Sequence, residues 1–332
     1  MTDINTITGN AASPSPARRG ALQNPATVAM YAFMAVVAVL VLVGAFTTQG
    51  FLTTGNFRSI LTATAFVGIM AVGSTVIMLG GSLFSVSLGM TTAVTSILFM
   101  YTLRFGLVPA VVVTLLAGTL IFTIQGAVIG SIGANPIIVT IGAGAIQEGI
   151  IGWLSPGDIV PPAGANIDFL AQPILGLPPS VYVFLAVAIV ADLCMRHTRS
   201  GLEIYMLGEN QPAARAAGLP VAKLTTAAFA VAGLCVAIAG ILIAGFARNV
   251  NLQVQGTYTF DVIAAILVGG TAVTGGRGSV GRTVIGALII ATITDMLLLQ
   301  GASTGMQILV KGLIVIVVVV LLHLARHEGR MS

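Results

Sequence analysis

Long apolar segments, each close to the length of one membrane-spanning helix, constrain the fold of this chain more than any other feature. They recur from Thr27 almost to the C-terminus and are separated by short turns. A helix needs about 20 mostly apolar residues to cross the hydrocarbon core of a bilayer. Of the 332 residues, 57% are hydrophobic and 7% are charged, whereas a soluble domain carries about 25% charged residues. The sequence therefore predicts an all-α integral membrane protein in contact with membrane lipid.

The spacing of the apolar segments predicts about ten transmembrane helices. We expect them near residues 28–48, 57–79, 82–102, 107–131, 137–154, 178–195, 223–246, 259–274, 281–299 and 306–324. An even number of spans puts both termini on one side of the membrane, and most of the 14 basic residues then fall on that side. Because Lys and Arg are enriched on the cytoplasmic side, both termini are predicted to be cytoplasmic.

This pattern divides the chain into a disordered N-terminal tail over residues 1–26, a transmembrane domain over 27–325 and a short C-terminal tail over 326–332. The first tail is rich in Ser, Pro, Ala and Asn, a composition that cannot bury a core. Both tails are predicted to be cytoplasmic.

Two connecting segments are longer than a turn. Residues 155–177 are rich in proline and contain no basic residue, so we expect a loop on the external side. Residues 196–222 are polar and charged, and within them 213–217 are predicted to form a short helix that ends at Gly218. A helix outside the membrane between two spans requires a partner or an interfacial role.

Ionisable residues inside membrane spans are candidates for function. Asp192 can pair with a basic residue one helical turn later, and Asp261 lies at a helix start, where the helix dipole favours a carboxylate. Glu148, Asp295 and Lys311 have apolar neighbours on both sides. An acid paired with Lys311 across the bundle and a hydrated translocation path are both open explanations.

The sequence gives no indication of catalytic chemistry. No histidine has other metal ligands at a suitable spacing, no nucleophile–base–acid grouping is present, and the two cysteines lie in separate apolar segments. We therefore predict no catalytic residue, no metal site, no cofactor and no enzyme activity. The net charge of +4 follows from membrane topology and does not indicate a nucleic-acid partner.

A glycine-rich segment, GGTAVTGGRGS at residues 269–279, has the spacing of a phosphate-binding loop in part. The Lys and Ser or Thr that such a loop needs are replaced by Gly276 and Arg277. We expect a turn at the cytoplasmic face instead. A second glycine pair, Gly80 and Gly81, occurs between the predicted second and third spans. A pair of glycines favours a break in which the backbone lines a cavity. The predicted turn residues are Gly269, Gly270, Gly275, Gly276, Arg277 and Gly278.

Residues 258–287 resemble the signature of permease subunits of ribose-type bacterial ABC importers: an acidic residue, an Ala-Ile run, a Gly-Gly-Thr turn, Gly-Gly-Arg-Gly and a Gly-Ala helix. Residues 198–218 are similar to the cytoplasmic pattern of the same family, and residues 135–140 are similar to the start of its fifth span. The resemblance departs at Leu83, where sugar permeases usually have an aspartate.

The resemblance implies that the polar segment docks on an ATPase subunit. The residues assigned to this coupling role are Gly201, Tyr205, Gly208, Asn210, Ala213, Ala214, Arg215 and Gly218. The residues expected along the translocation path are Gly80, Gly81, Ser85, Glu148 and Asp295.

The predicted function is the membrane-spanning permease subunit of a bacterial inner-membrane ABC importer for a small polar solute, a monosaccharide or related polyol. The family implies three partners: an ABC ATPase subunit, a periplasmic or extracellular solute-binding protein and a second permease subunit that is identical or a paralogue. A secondary transporter or channel independent of an ATPase is the alternative.

Overall fold

Eleven α-helices form the described part of the chain, which in this computed structural model comprises residues 48–154, 167–248 and 257–328 and a few positions from 39 to 46. These helices belong to one compact unit, residues 40–332. They are α1 Thr54–Leu79, α2 Leu88–Thr102, α3 Leu107–Ile132, α4 Pro136–Leu154, α5 Pro179–His197, α6 Arg199–Glu209, α7 Gln211–Ala216, α8 Val221–Ala247, α9 Tyr258–Val268, α10 Val280–Leu299 and α11 Thr304–Glu328. Short 3₁₀ turns occur at Leu103–Phe105 and Asp168–Leu170. The described residues contain no strand, which confirms the all-α prediction.

Six of the described helices are long and apolar enough to cross a membrane: α1, α3, α4, α5, α8 and α10. The predicted N-terminal tail, most of the predicted first span and residues 155–166 of the predicted external loop lie outside the described residues. In the most apolar stretch of α1, 89% of the residues are buried in the protein, compared with 22% for α3 and α4. Helix α1 is therefore central, whereas α3 and α4 leave wide apolar faces for lipid or for another subunit.

Close helix packing holds this centre together. At Gly126, an added Cβ atom would lie 2.5 Å from Cβ of Phe229, and at Gly73 it would lie 2.7 Å from Cβ of Cys235. Small residues at such crossings let helix backbones approach closely, which is how helices associate in membranes. Helix α8 thereby packs against α3 on one side and α1 on the other.

Two predicted spans are shorter than expected. The third begins at Leu88 instead of near residue 82, and the eighth ends at Val268 instead of near residue 274. Each of these helices borders a segment that contains a glycine pair, and the second glycine of each pair, Gly81 and Gly270, has a positive φ of 77° and 74°. Glycine adopts this conformation without steric cost, so the helix does not continue through the pair.

The two shortened helices, α2 and α9, meet at their N-terminal ends inside the bundle. The backbone N–H of Gly89 donates to Oγ1 of Thr259 at 2.9 Å. Helix α2 has 15 residues and α9 has 11, so each is shorter than the roughly 20 residues of a full span.

Candidate coupling and transport sites

The polar segment between α5 and α8 folds into two short helices, of which α7 was expected and α6 was not. Thr198 begins α6 by accepting a hydrogen bond from the N–H of Gly201 at 3.1 Å. Asn210 begins α7 in the same way, through the N–H of Ala213 at 3.0 Å. Such side-chain caps satisfy N–H groups that have no partner within the helix. Gly218 follows α7 with a φ of 78°, in agreement with the predicted helix end.

Four glycines bring α6, the end of α1 and the loop between α9 and α10 into backbone contact, and we call them the glycine junction: Gly81, Gly208, Gly275 and Gly276. The carbonyl oxygen of Leu79 accepts a hydrogen bond from the N–H of Gly276 at 3.0 Å. A Cβ atom at Gly208 would overlap that carbonyl oxygen and would lie 2.6 Å from the amide nitrogen of Gly276. The junction therefore has no room for side chains at its centre.

A Cβ atom added at Gly275 would also collide with backbone atoms of the junction. It would lie 2.8 Å from the amide nitrogen of Gly81 and 2.9 Å from the carbonyl oxygen of Gly208. The break after α1 and the glycine-rich loop after α9 thus both touch α6, a convergence that no sequence pattern indicated.

The glycine-rich loop at residues 269–279 is held in a turn rather than open for a phosphate. The N–H of Ala272 donates to the carbonyl oxygen of Arg277 at 2.7 Å, and Nη2 of Arg282 donates to the carbonyl oxygen of Gly270 at 3.4 Å. The Tyr205 hydroxyl of α6 donates to the carbonyl oxygen of Gly278 at 3.3 Å. Burial raises the pKa of Tyr205 above its ordinary value, so its hydroxyl stays protonated and can donate.

The surface of α7 borders a polar cavity of 360 Å³. Its lining includes Arg215 and Gln211 of α7, Gly81 and Ser82 after α1, and Asn135 before α4. Arg215 is exposed, whereas Ala214 of the same helix is 5% exposed and faces the core. This face of α7 therefore presents an exposed cation beside a polar groove.

The break at residues 80–87 carries a buried cluster of hydroxyl and amide groups. The hydroxyls of Ser85 and Ser87 are 3.0 Å apart, and Ser87 donates to Oε1 of Gln125 at 2.9 Å. The N–H of Val86 donates to Oγ1 of Thr140 at 3.1 Å. These contacts give hydrogen-bond partners to the hydroxyls and to one backbone N–H, as buried polar groups require, whereas Nε2 of Gln125 is buried without a hydrogen-bond partner among the described residues.

Sequence reasoning missed two glutamines of the interior. Gln125 and Gln147 are 3% and 7% exposed, and Oε1 of Gln147 accepts a hydrogen bond from Thr91 at 2.8 Å. Both line a cavity of 420 Å³ between α2, α3 and α4. A survey of ionisable residues does not include uncharged amides. A glutamine within an apolar span was nevertheless a usable signal, because burial of an amide without a hydrogen-bond partner costs free energy.

The structure does not gather the residues expected along the translocation path into one site within the chain. Ser85 lies in the hydroxyl and amide cluster, and Gly81 lies in the glycine junction. Asp295 is buried beside α1, where its Oδ2 accepts a hydrogen bond from Nδ2 of Asn56 at 2.8 Å. Glu148 is exposed on the outer side of α4.

The acid that pairs with Lys311 is Asp261, and the distance from Nζ to Oδ1 is 2.5 Å. A cross-bundle pair was one of the two open explanations for Lys311, whereas Asp261 was expected to act at its helix end. Asp192 forms the expected pair with Arg196 at 2.9 Å. Among the described residues, no group of three or more His, Cys, Asp or Glu side chains could hold a metal ion.

Comparison with known proteins identifies the family to which a chain of this architecture belongs. The family model described as the branched-chain amino acid transport system permease component matches residues 56–319. The chain belongs to this permease family. The match spans every described helix from the first turn of α1 into α11, and so includes both glycine-pair breaks and the polar segment between α5 and α8.

Individual relatives agree with the family. The probable ABC transporter permease protein YphD of Escherichia coli is 34% identical over 290 residues, which cover 86% of this chain and 87% of that protein. The ribose import permease protein RbsC of Bacillus subtilis is 35% identical over 148 residues, 44% of this chain and 46% of its own length. The autoinducer 2 import system permease protein LsrD of Yersinia enterocolitica is 28% identical over 164 residues, 49% of this chain and 50% of its own length. No solved structure matches the chain.

The chain is thus a membrane permease with several helices that are long and apolar enough to span a bilayer.

Proposed function

We propose that this permease is the membrane-spanning subunit of a bacterial inner-membrane ABC importer that carries a monosaccharide or related polyol. In this proposal a partner ATPase hydrolyses ATP, and an external solute-binding protein delivers the solute. The chain has about ten spans with both termini in the cytoplasm, as the distribution of basic residues favours.

The observation that carries the proposal is the glycine junction. Helix α6 lies outside the long apolar helices and touches the end of α1 and the loop before α10 backbone to backbone. A movement of α6 is therefore transmitted to two helices of the transmembrane domain. An ATPase that binds α6 and α7 from the cytoplasm acts through this contact.

The exposed position of Glu148 supports a second permease subunit. Glu148 lies on α4 between Ile146 and Ile150, which are 65% and 50% exposed, and it has no ion-pair partner among the described residues. A charged side chain in a membrane span faces protein or water rather than lipid, because its burial in lipid costs several kcal/mol. We infer that this face of α4 meets a second permease and that the path runs between the two subunits.

The polar groups near the break after α1 fit an uncharged solute. Leu83 takes the place of the aspartate that sugar permeases usually have, and the nearby buried groups are the hydroxyls of Ser85, Ser87 and Thr140 and the amide of Gln125. Neutral donors and acceptors of this kind suit sugar hydroxyls. The ribose import relatives are consistent with this class of substrate.

The test is a charge reversal on the docking surface. We expect Arg215→Glu to abolish ATP-driven sugar uptake, because the substitution inverts the charge that faces the ATPase, and to leave membrane insertion intact. Lys223→Glu is the matched control, since it makes the same charge change on an exposed residue at the start of α8. Uptake is measured in cells that produce the complete transporter, and binding is measured by co-purification of the ATPase.

Two results would refute the proposal. Arg215→Glu with wild-type uptake would remove the coupling role of α7. Ion-driven uptake in cells without the ATPase would identify a secondary transporter instead.

A further inference from the structure

A third cavity, of 440 Å³, lies at the end of the bundle opposite α6 and α7, and we call it the far-end cavity. Its lining includes Ser59 and Thr62 of α1, Phe246 of α8, Thr294 of α10 and Gln307 of α11. Each of these residues lies in the half of its helix that is remote from the coupling segment. The volume lies within the range of about 300 to 1,000 Å³ that is usual for small-molecule sites.

The buried ion pair of Asp261 and Lys311 forms one wall of this cavity. The two side chains are 9% and 5% exposed, and Nζ of Lys311 lies 2.5 Å from Oδ1 of Asp261. An ammonium group donates three hydrogen bonds, of which this contact uses one. The pair is neutral as a unit, and the ammonium group of Lys311 retains two further N–H donors for a ligand.

The remaining walls combine further acceptors with an aromatic surface. Thr62 and Thr294 donate to carbonyl oxygens of their own helices at 2.7 Å and 2.8 Å, so their oxygens remain free to accept. Gln307 donates from Nε2 at 3.1 Å and keeps its carbonyl oxygen. The rings of Phe66 and Phe246 form an edge-to-face pair with centroids 5.7 Å apart.

We propose that the far-end cavity binds an uncharged polyhydroxylated solute of the monosaccharide class, with hydroxyls on the ion pair and carbon atoms against the aromatic pair. A solute with net charge would lack a counter-charge beside the neutral pair, and an apolar solute would leave the hydrogen-bonding capacity of the pair unmet. The site is a subsite inside one subunit on the outer side, separate from the path between subunits. The assignment of this cavity to the outer side of the membrane rests on the proposed function.

The experiment measures protection of a cysteine in the cavity. Thr294→Cys in a Cys194→Ser background is purified, placed in lipid nanodiscs and treated with a water-soluble methanethiosulfonate reagent, with and without D-ribose, D-glucose or ribitol. We expect at least one of these solutes to slow labelling by about elevenfold at ten times its dissociation constant, because only the unoccupied fraction reacts. Ser303→Cys, an exposed position outside the cavity at the same end, is the control whose labelling stays unchanged.

A second variant tests the ion pair directly. Asp261→Leu/Lys311→Met removes both charges together, which a buried pair tolerates far better than the loss of one partner. In this background Thr294→Cys is expected to label at the same rate with and without sugar, while the unchanged thermal unfolding of the protein shows that it is folded.

Three outcomes overturn the inference: no labelling of Thr294→Cys in water, no protection by any of the three solutes, or equal protection after removal of the ion pair. None of them bears on the coupling role, which is tested separately by ATP-dependent uptake in Arg215→Glu. Wild-type ATP-driven uptake in Arg215→Glu together with intact protection of Thr294→Cys would refute the proposed function and leave the cavity as a sugar site.

Discussion

Gly208→Ala provides the sharpest test of the glycine junction. The new methyl group would overlap the carbonyl oxygen of Leu79 and lie 2.6 Å from the amide nitrogen of Gly276. Both neighbours are backbone atoms, so α6 must move. Overpacking of this kind costs about 1–3 kcal/mol, and an unpaired buried N–H at Gly276 adds about 1–3 kcal/mol.

The lower bound of the summed free-energy cost is about 2 kcal/mol, which changes the equilibrium constant for formation of the junction about thirtyfold. We expect sugar uptake by the complete transporter to fall by at least this factor, with normal insertion and a lowered thermal unfolding temperature of the purified permease. Gly281→Ala is the matched control, because an added Cβ atom there meets no atom within 4 Å and helix propensity favours alanine by about 0.5–1 kcal/mol. Wild-type uptake and unfolding temperature in Gly208→Ala would contradict the backbone contact described above.

Three further substitutions test single contacts. Asn56→Ala removes the hydrogen bond to the buried carboxylate of Asp295 and is expected to lower the free energy of unfolding by about 1.5–3 kcal/mol, as measured by denaturation in mixed micelles; an unchanged value would show that the carboxylate has another partner. Lys311→Met alone is expected to cost about 3–5 kcal/mol by leaving Asp261 charged and unpaired, and an unfolding temperature equal to that of the double variant would be inconsistent with a buried pair. Tyr205→Phe loses one 3.3 Å hydrogen bond to the loop before α10; we expect a cost of about 0.5–1.5 kcal/mol and retained uptake, and complete loss of uptake would require a role beyond this bond.

Features that depend on composition or on residues close together in the chain could be predicted from the sequence. Apolar composition predicted the helical class, and the one-turn spacing of Asp192 and Arg196 predicted their ion pair, which the structure contains. The glycine pairs correctly indicated breaks: the predicted second and third spans lie on either side of Gly80–Gly81, whereas the predicted eighth span ran through Gly269–Gly270. Apolar residues continue beyond Gly81 and Gly270, so hydropathy alone could not show that a positive φ ends each helix.

Contacts between distant segments could not be predicted in the same way. The partner of Lys311 lies 50 residues earlier in the chain, and Asp261 has a sufficient local explanation at its helix start. Gln125 and Gln147 are uncharged, so their interior hydrogen bonds leave no trace in a survey of ionisable groups. The meeting of two glycine breaks on α6 depends on tertiary packing, to which a single sequence gives no direct access.

The absence of side chains at the glycine junction has a consequence for repeated turnover. A transporter must make and break its internal contacts in every cycle, and long side chains lose up to about 2 kcal/mol of rotamer entropy each time they are fixed. Gly81, Gly208, Gly275 and Gly276 have no rotamers to fix. The contact can therefore form without fixing any side-chain rotamer, and backbone atoms alone set its geometry.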